Sequence, residues 1–265
     1  MATKWRLCYS GSWNRHAHSP ASTALRAQLP SVQWCVQLAD LPPADIVVLG
    51  VRDDAIEIMA MALADSVAIQ SNTTVLHFSG ARSSQALSAL ADHTSLLGSL
   101  HPVFAFADAN SAQQQLSGHL CAFEGAFSAR PVLQALAHHA GLHAFEMSAA
   151  HKARYHAAMS VSANFLVTLN YFAQQMLAPL ALPNQLARQL VNQLMTQNLA
   201  QLEKHPPEAV LTGPIQRGDA QTIAIHWATL TREEQVVYRI LAEETIKLAQ
   251  LASEKREEIL VNMPM

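Results

Sequence analysis

Apolar residues follow two periodicities along this chain, and the change from one to the other divides it. Up to about residue 125 there are short β-branched runs, ADIVVLGV (44–51), TTVLHFSG (73–80), SLLGSLHPVF (95–104) and HLCAFEG (119–125), which predict strands. Between them, DDAIEIMAMALADSV and SSQALSALADH carry apolar residues at helical spacing. Such alternation predicts βαβ units, a parallel sheet covered by helices. The continuous apolar character of IVVLGV suits a strand buried on both faces. From about residue 148 the strand pattern stops. One long helix is expected up to Pro179, followed by helices over 184–203, 219–230 and 232–258. Thr231 with Glu234 matches a capping box, and Asp219 stands where a cap is needed. The expected organisation is an α/β domain over 1–146 and a helical domain over 147–265.

Composition narrows the class. The 265 residues are 50% hydrophobic and 14% charged, with a formal charge of -3. A charged fraction well under the roughly 25% of an average soluble protein argues for extensive burial, including a subunit interface. The near-neutral balance offers no footprint for nucleic acid. Cys8, Cys35 and Cys121 are far apart and form no CxxC pair, so neither a disulfide framework nor a structural zinc site is expected. MATKWRLCYS lacks the apolar core of a secretory signal, which places the expected location in the cytoplasm. No Asp, Glu, Lys or Arg lies between Arg154 and Arg188, yet His156, Asn164, Asn170, Pro179 and Pro183 interrupt that stretch, and no membrane span is expected.

Candidate chemistry sits where open parallel sheets bind ligands, beyond the carboxyl ends of their strands. Arg52-Asp53-Asp54 follows the first run above, Ser79-Gly80 the second and His101-Pro102 the third. Asp53 and Ser79 equally suit helix caps, and His101 a hydrogen-bonded core position. Lys152 and His156 are four residues apart on one helix face, with Ser160 and Asn164 continuing it. A lysine, an imidazole and an amide converging on a cleft can orient and protonate a carbonyl oxygen; they also suit ordinary structural positions. The loop TGPIQRGD (212–219) adds Thr212, Arg217 and Asp219, of which Arg217 could grip an anion in bidentate fashion and Asp219 could simply cap. His138, His139 and His143 lie together, but Gly141 should break the helix that a metal pair requires, so no metal is expected. Neither GxSxG nor GxxxxGK[ST] occurs.

Taken in order, VLGVRDDAI, HFSGA, GSLHPVFAFAD, HKARYHAAMSVSANFL and LTGPIQRGD resemble a bacterial family with a Rossmann-like domain and a C-terminal helical domain. That family is similar to pyrroline-5-carboxylate reductase, ketopantoate reductase and the deazaflavin-dependent NADP oxidoreductases, with a helical domain of the 6-phosphogluconate dehydrogenase type. The resemblance implies an NADP-linked reductase-like homodimer with its site in an interdomain cleft. It marks Lys152, His156 and Asn164 as catalytic, and Ser79, His101, Thr212, Arg217 and Asp219 as substrate-binding. Asn14, Arg15, Asp53 and Gly80 are the cofactor-binding candidates, Asn14 and Arg15 for the 2′-phosphate of NADP.

The sequence also departs from that pattern. It contains no GxGxxG turn, and Arg52 stands where the family usually has proline. If SGSWNRHAHSPASTALRAQLP is the second strand and its helix, with Ser19 and Pro20 opening the helix, about 25 residues with the first strand and glycine turn belong upstream. Alternatively KWRLCYSG is itself the first strand and VQWCVQ the second. Two functions follow: an NADP-dependent reductase of a small keto or imino acid, or a non-catalytic dimeric binding or regulatory protein that has lost the dinucleotide loop.

Overall fold

The computed structural model describes residues 10–16 and 18–264. Cys8 and most of KWRLCYSG lie outside the described residues. The chain divides into two compact units, Met1–Asn164 and Phe165–Met265.

In the first unit the strands form two separate sheets. β1 (Gly11–Trp13) pairs in parallel with β2 (Gln33–Cys35), and α1 (Pro20–Gln28) lies between them in sequence. Ser19 caps α1 by accepting the Ser22 amide, with Pro20 at its first position. The larger sheet runs in the order β3 (Ile46–Leu49), β4 (Thr74–His77), β5 (Leu97–Pro102), β6 (Leu120–Gly125) and β7 (His143–Glu146). Only the β5–β6 pairing is antiparallel. This is the mostly parallel sheet that the apolar runs predict, and among the described residues β1 is not bonded to β3. β7 is an addition: its HAFE segment is short, largely exposed and not strongly apolar, so periodicity does not reveal it.

β4 is buried along its whole length because helical segments cover both faces of the sheet. Val75 packs with Leu49, with Ile56 and Leu63 of α2 (Ile56–Ala64), and with Leu87 and Leu90. Leu76 packs with Leu100, Phe123 and, from α4 (Arg130–His139), Leu133 and Ala137. The expected helix at 83–93 is a 3-10 helix, Ser84–Leu90. Its buried Leu87 and Leu90 are three apart, the spacing that a three-residue turn brings to one side. Between β5 and β6 lies α3 (Ala109–Gln115). α4 stops at His139 and Gly141 adopts φ +73, as the glycine suggests.

α5 (Lys152–Ser160) is followed by a π turn, Val161–Phe165, and α6 (Leu166–Met176), where the sequence predicts one unbroken helix. The second unit continues with α7 (Asn184–Leu202), α8 (Pro207–Val210), α9 (Pro214–Arg217), α10 (Ala220–Thr229), α11 (Arg232–Ala249) and α12 (Ser253–Val261). The last two replace one expected helix, which breaks at Gln250 with φ 51. The predicted capping box of Thr231 and Glu234 is formed in both directions. A core of Ile215, Ile223, Ala242, Ile246, Ile259 and Met263 joins α9 to α12, whereas α6 and α7 bury no residue. Among the described residues no helix is long and apolar enough to cross a membrane.

Candidate functional site

The polar groups of the first unit meet past the ends of β4 and β5. His77, the last residue of β4, accepts the Ser79 amide at Nδ1 (3.2 Å), so its proton belongs on Nε2, which donates to the Ser83 carbonyl (3.1 Å). This tight turn is held again by the Ser79 hydroxyl, which donates to Asp53 Oδ2 at 2.7 Å and accepts the amides of Ala81 and Arg82. Ser79 is therefore bound into the backbone of its own loop, and Asp53 holds it from the end of β3. The 3-10 turn of Asp53–Ala55 leads into α2.

Lys152 enters from the start of α5 and is 1% exposed. Its Nζ donates to the Ser79 carbonyl (2.8 Å) and to Ser99 Oγ (2.6 Å). Ser99 in turn donates to Glu124 Oε1 (3.0 Å), and Glu124 also accepts the amide and hydroxyl of Ser84. The buried ammonium and buried carboxylate are thus joined through one serine hydroxyl across β5 and β6. Burial lowers the Lys152 pKa to about 8, with Glu124, Asp53 and Cys121 opposing the fall. Burial also pushes the Cys121 thiol up to about 12 and makes it a poor nucleophile.

One helical turn further, the rings assemble. His101 Nδ1 lies 2.9 Å from the Tyr155 hydroxyl, and the two rings meet edge to face at 5.6 Å. His156 meets His101 edge to face at 5.9 Å, while Phe145 of β7 supports Tyr155 from behind. Gly80 makes this possible. A Cβ there would lie 2.5 Å from His156 Cδ2 and 2.8 Å from His101 Nε2, so any side chain would force the imidazoles away. Burial, then the charges of Lys152 and His156, lower the His101 pKa to about 4.

Of the residues expected from sequence, Asp53, Ser79, Gly80, His101, Lys152 and His156 come together here. Asn14 and Arg15 are exposed just past β1, Asn14 accepting the His16 amide. Asn164 lies in the π turn, exposed and engaged in an interaction of its own. The wider turn upsets the fourfold spacing from Lys152 to Asn164. Thr212, Arg217 and Asp219 belong to the second unit. There Asp219 caps α10, one carboxylate oxygen accepting the Thr222 amide (3.0 Å) and the other its hydroxyl (2.7 Å), while Thr212 and Arg217 are exposed. The sequence reading omits Tyr155, Ser99 and Glu124. Glu124 carried a signal, an acid inside the apolar run HLCAFEG, and Tyr155 sits three residues after Lys152 on the same helix face. Among the described residues no group of three or more His, Cys, Asp or Glu is placed to hold a metal ion.

A Rossmann-like, mostly parallel sheet followed by helices defines the class of fold. Within it, residues 119–245 match the family described as a domain of unknown function, DUF2520. Protein TM1727 from Thermotoga maritima is similar in structure, at 22% identity and a TM-score of 0.69, over 96% of this chain and 92% of that one. BF3122 from Bacteroides fragilis, a provisionally assigned NADP oxidoreductase, is 16% identical with a TM-score of 0.67, over 90% of this chain and 88% of that one. An imine reductase from Myxococcus stipitatus, in complex with NADP+, is 11% identical with a TM-score of 0.61, over 96% and 91%. No curated protein matches the sequence. These likenesses agree with the resemblance drawn from the motifs, and at such identities what they share is the fold.

Proposed function

We propose that the chain is an oxidoreductase of the NADP-dependent type, reducing the carbonyl or imine of a small keto or imino acid beside His101 and His156. The observation that carries this reading is the convergence of Gly80, His101, Lys152, Tyr155 and His156 beyond consecutive strand ends, where this fold receives ligands. NADPH would supply hydride; this chain's side chains would bind and orient the acceptor. His156, whose nitrogens have no hydrogen-bond partner among the described residues, is the proposed proton donor. Lys152 acts from below, holding the Ser79 loop and keeping a positive charge near the imidazoles.

The residues fit the cofactor in part. Arg15, exposed after β1, suits the 2′-phosphate of NADP. No glycine turn in the sequence brings a helix N-terminus against a pyrophosphate. A second reading, a binding or regulatory protein without turnover, is favoured by the absence of that turn from these residues. Either form is proposed as a homodimer, supported by the unburied α6 and α7 and by the charge-free interval from Arg154 to Arg188.

Calorimetry with NADPH and NADH on the purified chain tests the choice. Tighter binding of NADPH, weakened about tenfold or more in Arg15→Ala, is expected. No heat at millimolar cofactor would leave the binding-protein reading.

A further inference from the structure

His101 and Tyr155 form a pair whose direction follows from ordinary acid–base chemistry. A phenol hydroxyl is a good donor and its oxygen a poor acceptor toward an imidazole, whereas a neutral imidazole nitrogen accepts strongly. Tyr155 therefore donates to His101 Nδ1 across 2.9 Å. The ring proton of a neutral His101 is then on Nε2, the nitrogen turned toward Gly80, where no hydrogen-bond partner meets it among the described residues.

We propose that Tyr155 is a positioning residue that locks His101 as the neutral Nε2–H tautomer, leaving that N–H as the donor for a carbonyl or carboxylate oxygen. The nature of the bound oxygen rests on the reductase reading above; the tautomer does not. The surroundings keep the ring neutral. Lys152 and His156 of α5 oppose a charge on it, Tyr155 offers a donor, and Asp53 alone favours the imidazolium. With its pKa at about 4, His101 stays uncharged at neutral pH. A neutral imidazole can polarise a carbonyl without surrendering its proton early, as an electrophile in a site where imidazolium would be destabilised. Phe145 packs edge-on to Tyr155 at 6.3 Å and keeps the phenol in line.

The test is nitrogen-15 NMR of the histidine side chains in the full-length chain, free and with pyruvate as a carbonyl-acid probe. His101 is expected to show one protonated nitrogen, Nε2, from pH 5 to pH 8. In Tyr155→Phe, which keeps the ring contact with Phe145, the Nδ1 shift is expected to move toward that of an unbonded nitrogen, with a mixture of tautomers. A doubly protonated His101 at pH 6, a predominant Nδ1–H form, or an unchanged spectrum in Tyr155→Phe would each overturn the proposal. Pyruvate is expected to shift the Nε2 resonance at millimolar concentration. If it shifts only other histidines, the donor assignment is wrong. In turnover, Tyr155→Phe is expected to lower kcat about tenfold with little change in NADPH affinity. Failure of NADPH to bind would sink the reductase reading and leave the tautomer result standing, so the two failures are distinguishable.

Discussion

The two units of this chain treat burial in opposite ways. The first buries Thr73, Thr94, His77, Ser79, Ser99, Glu124 and Lys152, and gives each of them a partner. Among the described residues the second buries no polar side chain, and beyond the scattered exposed apolar residues that both units carry it leaves whole apolar helix faces in water. Val167 and Tyr171 of α6 and Leu186, Leu190 and Leu194 of α7 are all exposed, and the polar contact of Asn170 with Asn192 between those helices, at 2.7 Å, is exposed too. Buried polar groups contribute little net stability for the desolvation they require, whereas a misplaced one is severely penalised. Their concentration in the first unit marks where geometry matters. The open apolar faces of α6 and α7 mark where the proposed second copy would pack.

The sharpest way to break this contrast is to remove one end of the buried network. Glu124→Leu leaves the Ser84 amide without its acceptor and Lys152 without its compensating carboxylate. A loss of about 3–5 kcal/mol at pH 7 is expected by urea unfolding. The loss should shrink as pH rises. Lys152 has a pKa of about 8 in the folded chain, against 10.5 normally, because burial disfavours its charge. The unfolded chain therefore binds the proton more tightly. The cost of carrying the charge is fully present below pH 8 and is relieved between about pH 8 and 10.5, by about 3 kcal/mol. Wild type should gain stability through that window, and Lys152→Met should lack the gain. Parallel curves for the two would mean that Lys152 is not buried as an ammonium.

Glycines give a smaller test inside the first unit. Gly80 touches both imidazoles, and Gly50 has nothing within 4 Å of where its Cβ would stand. Gly80→Ala is expected to destabilise by about 1–3 kcal/mol through overpacking and to move the His101 and His156 NMR signals. Gly50→Ala should stay within about 0.5 kcal/mol of wild type and leave both signals in place. Equal effects would mean that the rings do not close on Gly80.

The same contrast explains what could be read from sequence. Strands of the large sheet with strong apolar runs are legible because both faces are buried, as β4 shows at Thr74–His77. β1 and β2 are three residues each, too short for a period to show, and β7 is exposed. Caps such as Ser19, Asp219 and Thr231 are local chemistry and are visible directly. The site was half legible: Ser79, Gly80 and His101 stand at strand ends, and Lys152 and His156 share a helix face. What joins them is not local. Ser99 and Glu124 lie 53 and 28 positions before Lys152 and reach it only through the pairing of Ser99 with Glu124 across β5 and β6. No spacing rule within one element could bring Tyr155 to His101, 54 residues away. The π turn at Val161–Phe165 escaped because VSANF carries no residue that forbids an ordinary helix.

The smallest expected effect on folding falls on the open face of the second unit, and it separates surface from interface. Leu190 is 48% exposed, in a stripe with Leu186 and Leu194 four residues to either side. On a face that meets only water, Leu190→Gln changes stability by no more than about 0.5 kcal/mol and leaves the mass in solution unchanged. On a face that meets a second copy, the two-fold axis places each substitution twice in one interface, and desolvating two amides there shifts the association equilibrium strongly. Light scattering at micromolar concentration is expected to show a dimer for wild type and monomer for Leu190→Gln, with helical content unchanged. A monomeric wild type would show that these leucines are tolerated in water, and the charge-free interval from Arg154 to Arg188 would then have to be explained inside one chain.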